Sequence, residues 1–211
     1  MSGPGVELYW LPLGSGQGGG CVRTSGSLYE TVSAWRDRRA RLDLFHTGLV
    51  VRVDGSAHAI EMTPVWASTD PGRGVVGEGP VGVPALGRWR LFRYEVRCWR
   101  DGRIPDAAAA VDSPRLVSAD ELTARKVLAV VADFPRVTWG RDELRAGEMW
   151  NSNSLVSWLL VRSGHDVSGA AFRPPRGGRA PGWTAGVAVA ARPPAGPPPG
   201  VSPPCRRPCP P

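Results

Sequence analysis

The segment Leu155-Val156-Ser157-Trp158-Leu159-Leu160-Val161 constrains the fold of this chain more than any other. At helical spacing its apolar residues cover nearly the whole circumference, and a helix of that kind has to be enclosed by other elements. The run Trp150-Asn151-Ser152-Asn153-Ser154 stands directly before it. Small hydrogen-bonding residues in that place suit a helix N-terminus, where side-chain oxygens accept from the first free N–H groups. The sequence therefore predicts a buried helix that begins at or near Ser152.

Whether the rest of the chain can enclose such a helix depends on composition. With 211 residues, 42% of them hydrophobic, it can bury one substantial core, so a single domain over residues 1–192 is expected. Beyond Ala191 the sequence turns to Pro-Pro-Ala-Gly-Pro-Pro-Pro-Gly and similar. Such a stretch cannot bury apolar surface, which predicts a disordered Pro-rich tail over residues 193–211. The formal charge of +7 invites a nucleic-acid reading, yet Lys126 is the only lysine and the arginines are scattered among acids instead of gathered in a stripe. Abundant Arg, Ala, Gly and Pro match the coding bias of a GC-rich, bacterial genome, and nucleic acid is not the expected partner.

Cys21, Cys98, Cys205 and Cys209 make no CxxC pair and do not combine with histidines, so no metal site is expected. Neither a phosphate loop with its lysine nor a metal-ligand cluster is present, and the sequence implies no cofactor. The N-terminus lacks the basic and apolar regions of a signal peptide, and no stretch approaches the roughly 18 apolar residues of a membrane span. The expected compartment is the cytoplasm, with free thiols.

Local patterning gives the elements around the helix. Val6 to Leu13 reads as a short strand, followed by Gly14-Ser15-Gly16-Gln17-Gly18-Gly19-Gly20, a formal G-x-G-x-x-G match. Because Cys21 to Gly26 intervene before the next helix start, it reads as a loop and not as a phosphate cradle. Ser27 and Glu30 have capping-box spacing for a helix from Leu28 to about Arg39, with Arg36, Arg38 and Arg39 on a solvated face. Leu44 to Val53 and Ala57 to Val65 read as strands joined by Asp54-Gly55, a two-residue hairpin signal. With that loop Val53 faces Ser56, Gly48 lies opposite Glu61, and His46 and Glu61 share one face as diagonal neighbours. Ser68 to Gly87 reads as an irregular loop and Leu91 to Trp99 as a further strand. Ser118 and Glu121 form a second capping box, for a helix ending near Pro135 whose Val127, Val130, Val131 and Phe134 belong to the core.

Acyl-transfer chemistry needs a nucleophile, a base, a group that orients the base, and donors for the developing oxyanion. Ser152 at the positive end of a buried helix, His46 on a strand beside the small Gly48, and Glu61 on the next strand could fill the first three roles. His58, just past the hairpin turn, and His165, after Gly164 at a helix C-terminus where a cation is favoured, read as structural. The plain alternatives are a core histidine at His46, a helix cap at Ser152 and an exposed strand residue at Glu61. Trp139, Trp150, Asn151 and Asn153 are the expected lining of a substrate or ligand groove.

The order of these residues resembles the circularly permuted papain-like superfamily, which includes the lecithin retinol acyltransferase group and relatives of NlpC-type peptidases. His46-Thr47-Gly48-Leu49-Val50 resembles the histidine strand, Ala59-Ile60-Glu61-Met62 the strand bearing the third polar residue, and Asn151-Ser152 takes the place of an Asn-Cys motif. Asn151-Ser152-Asn153-Ser154 also resembles an N-S-N-[ST] motif of uncharacterised bacterial proteins of that superfamily, and Pro181-Gly182-Trp183-Thr184-Ala185-Gly186 their C-terminal segment. The resemblance spans roughly Asp43 to Gly186. It implies an α+β fold, an antiparallel sheet packed on a buried central helix, with the histidine strand before the nucleophile helix.

It also implies amide or ester hydrolysis or acyl transfer. The chain departs from the pattern at the nucleophile, since a serine hydroxyl stays protonated where a cysteine would ionise and needs full general-base assistance. The competing expectations are a catalytically inactive papain-like domain binding a small-molecule, peptide or acyl ligand, and an interaction module using the arginines and the Pro-rich tail.

Overall fold

The computed structural model describes residues 3–15, 30–67 and 72–193. Strands β1 (Gly5–Pro12), β2 (Phe45–Val53), β3 (Ser56–Pro64), β4 (Val75–Pro80), β5 (Arg93–Arg100) and β6 (Arg115–Ser118) form one sheet in the order β4-β5-β3-β2-β1-β6. Every adjacent pair is antiparallel. Helices α1 (Glu121–Val130), α2 (Ser152–Arg162) and α3 (Trp183–Ala190) follow, and residues 30–36 are also helical. The fold is α+β. No helix among the described residues is long and apolar enough to cross a membrane.

The β2–β3 hairpin sets the two faces of the sheet. Asp54 and Gly55 have φ of +52° and +74°, the pair of left-handed conformations a two-residue type I′ turn requires. Val53 pairs with Ser56 and Leu49 with Ile60, as the sequence predicts. The alternation that follows sends Phe45, Leu49 and Val51 with Ile60 and Met62 into the main core. It sends His46, Gly48 and Val50 with Ala59 and Glu61 to the opposite face, where Leu11, Val50, Ala59 and Ile104 make a smaller cluster. Gly48 leaves room there for Ile104, whose side chain a Cβ on it would approach to 3.0 Å.

Helix α2 is buried at nine of its eleven positions, which fits an apolar circumference. It packs on the sheet through Leu155, Val156, Leu159 and Leu160, beside Ala124 and Val127 of α1. Its small residues face α3: a Cβ on Gly186 would fall 2.1 Å from Ser157 Oγ and 2.3 Å from the Ser154 carbonyl oxygen. The two helices thus touch nearly backbone to backbone. Ser154 Oγ donates to the Gly182 carbonyl and Ser157 Oγ to that of Trp183, each at 2.8 Å.

Several expectations require correction. The span read as an irregular loop contains β4, in which Gly79 leaves room for the Tyr94 ring; a Cβ there would be 2.4 Å from the phenol oxygen. The pairing edge supplied by β5 outweighs the poor strand propensity of Gly77 and Gly79. Helix α1 is capped by Asp120, whose Oδ2 accepts from Thr123 N at 2.7 Å, while Ser118 Oγ accepts from Asp120 N. The α-helix ends at Val130, and a single 3₁₀ turn, Val131–Asp133, carries the chain to buried Phe134. Arg39 is no solvated residue but an ion-pair partner of buried Glu30.

At His165, placed after the C-terminal end of α2, burial works against the cation that the helix dipole would favour. Burial lowers its pKa, against the Leu160 carbonyl, which accepts from Nδ1 at 3.2 Å. His58 sits in β3 opposite Val51 and Arg100. The glycine-rich stretch from Gly16 on, Ser27, Cys21, Cys205, Cys209 and the tail from residue 194 lie outside the described residues; Cys98 is a free thiol.

Candidate functional site

The polar residues that open α2 differ in what they bond. Asn151 is extended at φ −164°, and its Oδ1 accepts from the backbone N–H groups of Asn153 at 2.9 Å and Ser154 at 3.3 Å. Ser154 Oγ accepts in return from Asn151 N at 3.2 Å, completing a capping box. Asn151 Nδ2 donates to the Pro181 carbonyl at 2.8 Å. Asn153 donates from Nδ2 to the carbonyls of Phe45 (3.0 Å) and Pro181 (2.9 Å), and its Oδ1 accepts from Thr47 Oγ1 at 3.0 Å. Both amides therefore bind α2 to the approach of α3, and Asn153 binds it to β2 as well.

Ser152 is the exception. It is 5% exposed, and neither its hydroxyl nor its backbone N–H has a hydrogen-bond partner among the described residues. It faces a cavity of about 320 Å³ lined also by His46, Val81, Trp139, Met149 and Pro181. The wall is mostly apolar, and among the described residues His46 is the only ionisable side chain on it. Gly82 N donates to the Trp139 carbonyl at 2.9 Å and Trp139 N to that of Pro80, which ties the far wall to the end of β4. Trp150 lies elsewhere: it is buried, stacked on Phe134 at 4.9 Å, and donates from Nε1 to the Pro135 carbonyl. Asn151 and Asn153 also border the cavity, with their amides engaged as described.

His46 stands at the start of β2, and its Nε2 is 3.1 Å from Asp106 Oδ2. Asp106 comes from the segment between β5 and β6 and also accepts from Ser15 Oγ at 3.0 Å. Burial alone would raise the Asp106 carboxyl. The hydrogen bond and charge of His46, together with the Ser15 hydroxyl, more than offset this and hold it below the ordinary value. With Nε2 held, Nδ1 is the nitrogen left for other chemistry.

Glu61 shares the face of His46 but bonds Arg97, with Nη1 at 3.2 Å. Arg97 and its other partner Glu95 are buried, and Arg73 closes the far end of this ionic chain at 2.7 Å from Glu95. Burial pushes the Glu61 carboxyl up against the pull of Arg97, and the charge of Asp106 adds to the rise while His46 opposes it. The imidazole thus stands near two carboxylates, and the one it bonds is Asp106. Sequence reasoning passed over Asp106 because a lone aspartate after Ile104-Pro105 carries no periodic or motif signal.

Among the described residues, no group of three or more His, Cys, Asp or Glu could hold a metal ion. Comparison with protein-family models, curated proteins and solved structures finds no match.

Proposed function

We propose that the chain is a permuted papain-like hydrolase or acyltransferase acting on an ester or amide through Ser152. The observation that carries this reading is the meeting, in one cavity, of an unbonded serine at the positive end of a buried helix and a histidine held by a carboxylate. In the reaction Ser152 Oγ bonds to the substrate carbonyl carbon while His46 Nδ1 takes the hydroxyl proton. Asp106 fixes the ring through Nε2 and stabilises the imidazolium. The unpartnered Ser152 N–H and the helix dipole receive the charge on the carbonyl oxygen. His46 returns its proton to the leaving alcohol or amine, and water or an acceptor then releases the acyl group from Ser152.

A second reading follows from a specific feature: no hydrogen bond joins the Ser152 hydroxyl to His46. Unliganded sites often hold such pairs apart, but the same arrangement fits an inactive domain that binds a ligand in the cavity. Labelling with a fluorophosphonate, read by intact mass and peptide mapping, separates the two. The enzyme reading expects one adduct at Ser152 that is lost in His46→Ala and slowed in Asp106→Asn. A folded protein that takes no adduct there favours the binding domain.

A further inference from the structure

A second cavity, of about 300 Å³, adjoins the first and shares Leu13, Leu44 and Phe45 with it. Its character is opposite. Where the first is lined mostly by apolar groups, with His46 among them, the second presents Glu30, Arg41, Asp43 and Arg176. Glu30 is buried and fully engaged: Arg39 donates to it at 2.5 Å, Leu42 N at 2.9 Å and Arg179 at 3.3 Å. Burial resists its ionisation, but the Arg39 hydrogen bond outweighs that and keeps the carboxyl below its ordinary value. Glu30 is shared between Arg39 and Arg179, Asp37 also pairs with Arg39 at 3.5 Å, and Asp43 is the other carboxylate on this wall among the described residues.

Arg41 and Arg176 are exposed, and neither has a hydrogen bond or ion pair with any described residue. With the ion-pair partners Arg39, Arg179 and Asp37 included, four guanidinium groups and three carboxylates among the described residues leave a net positive charge around this cavity. Guanidinium groups with free N–H forks suit carboxylate or phosphate oxygens.

We infer that the second cavity is an anion subsite formed by Arg41 and Arg176, and that the ligand of the whole site is an amphiphilic anion. Its apolar part fills the cavity at Ser152 and its carboxylate or phosphate reaches the two arginines. The size of the apolar part follows from volume: a sealed apolar cavity of about 150 Å³ holds benzene, so the first cavity takes about twice that bulk. A charged group in the first cavity would lose its water with only His46 to compensate, which orients the ligand. The proposal rests on the preceding reading only in treating Ser152 as the reacting group; the anion subsite stands without it.

The test uses the full chain carrying Ser152→Ala, so that binding is measured without turnover, by calorimetric titration with octyl phosphate, octanoate, octanol and inorganic phosphate. Octyl phosphate or octanoate is expected to bind about tenfold more tightly than octanol, and added salt to erase most of that difference. Which anion binds more tightly distinguishes a phosphate from a carboxylate source. Arg41→Ala combined with Arg176→Ala should remove the advantage and leave octanol binding unchanged. Because both side chains are exposed and unpaired, the urea midpoint of this variant should match its parent.

Equal affinity for octanol and both octyl anions would overturn the proposal, as would an advantage that survives loss of both arginines. Anion binding that responds to the arginines, in a protein whose Ser152 takes no fluorophosphonate, would retain the subsite and reject the catalytic reading. A reactive Ser152 with no arginine-dependent anion binding would do the reverse.

Discussion

Replacing Asn153 by leucine tests whether the polar residues at the head of α2 serve the fold. Asn153 is 2% exposed and makes three side-chain hydrogen bonds. Leucine has nearly the same size, so the change removes bonds with little change of volume. The Pro181 carbonyl keeps Asn151 Nδ2 as a donor at 2.8 Å and loses little. The Phe45 carbonyl and the Thr47 hydroxyl lose their partners in the interior, and each stranded polar group costs about 1–3 kcal/mol. Allowing about 1 kcal/mol for the gain in apolar burial, Asn153→Leu should destabilise the protein by about 3 kcal/mol. With a urea slope of about 2 kcal/mol per molar, the unfolding midpoint should fall by roughly 1.5 M with the slope unchanged. Thr47→Val in the leucine background removes one stranded hydroxyl and should restore about 1 kcal/mol, although Thr47→Val alone destabilises by leaving Asn153 Oδ1 without a donor. A loss below about 1 kcal/mol for Asn153→Leu, or purely additive effects of the two changes, would refute the argument that this amide binds α2 to β2.

Gly186→Ala drives a methyl group into Ser157 Oγ and the Ser154 carbonyl, and because the carbonyl belongs to a helix backbone the clash cannot be relieved by a rotamer change. A loss of about 3 kcal/mol is expected, read by calorimetry as a fall in Tm of roughly 10 °C; a fall under 2 °C would deny the close approach of α2 and α3. Glu95→Gln strips the central carboxylate from the buried Arg73–Glu95–Arg97 chain and should destabilise by about 3–5 kcal/mol. Burial raises the Glu95 carboxyl, but hydrogen bonds and charge from the two arginines more than reverse this and hold it below its ordinary value. Its contribution is therefore complete above about pH 5 and lost as the pH falls through its lowered folded value. Urea midpoints from pH 7 to pH 3 should drop less steeply in Glu95→Gln, and parallel slopes would count against the assignment. The Cys98 thiol, pushed by burial to about 11, carries little thiolate at pH 8. Peptide mapping after iodoacetamide should find this half-buried thiol modified much more slowly in the native protein than in urea, and equal rates would contradict the assignment.

What the sequence reveals and what it conceals divide along the range of the interactions. Helix α2 is legible because an apolar circumference has one outcome, enclosure, whatever the neighbours are. The β2–β3 hairpin is legible because Asp54-Gly55 alone suffices for two residues at positive φ, and the faces of His46 and Glu61 then follow by counting. Strand β4 is not, since its pairing edge comes from β5 and its glycines mark room for Tyr94, which a local reading takes for loop. Asp106 is concealed for the same reason: the β5–β6 connection is placed against His46 by tertiary packing, so a count along the hairpin selects Glu61, which Arg97 takes instead.

The Asn-Ser-Asn-Ser run shows how the two levels combine. In sequence its members are interchangeable as caps or ligand contacts, but tertiary structure assigns Asn151 to the helix terminus, Asn153 to β2 and Ser154 to α3. The second residue is left without a hydrogen-bond partner among the described residues, in a cavity that His46 also lines. Its hydroxyl is not among the sealed, unpartnered polar atoms of the interior but opens onto the cavity, where a bound group can reach it. Its three neighbours fix the surrounding backbone firmly enough to hold that arrangement, and this is why the reactive candidate emerges from which bonds the fold has already used and not from residue type.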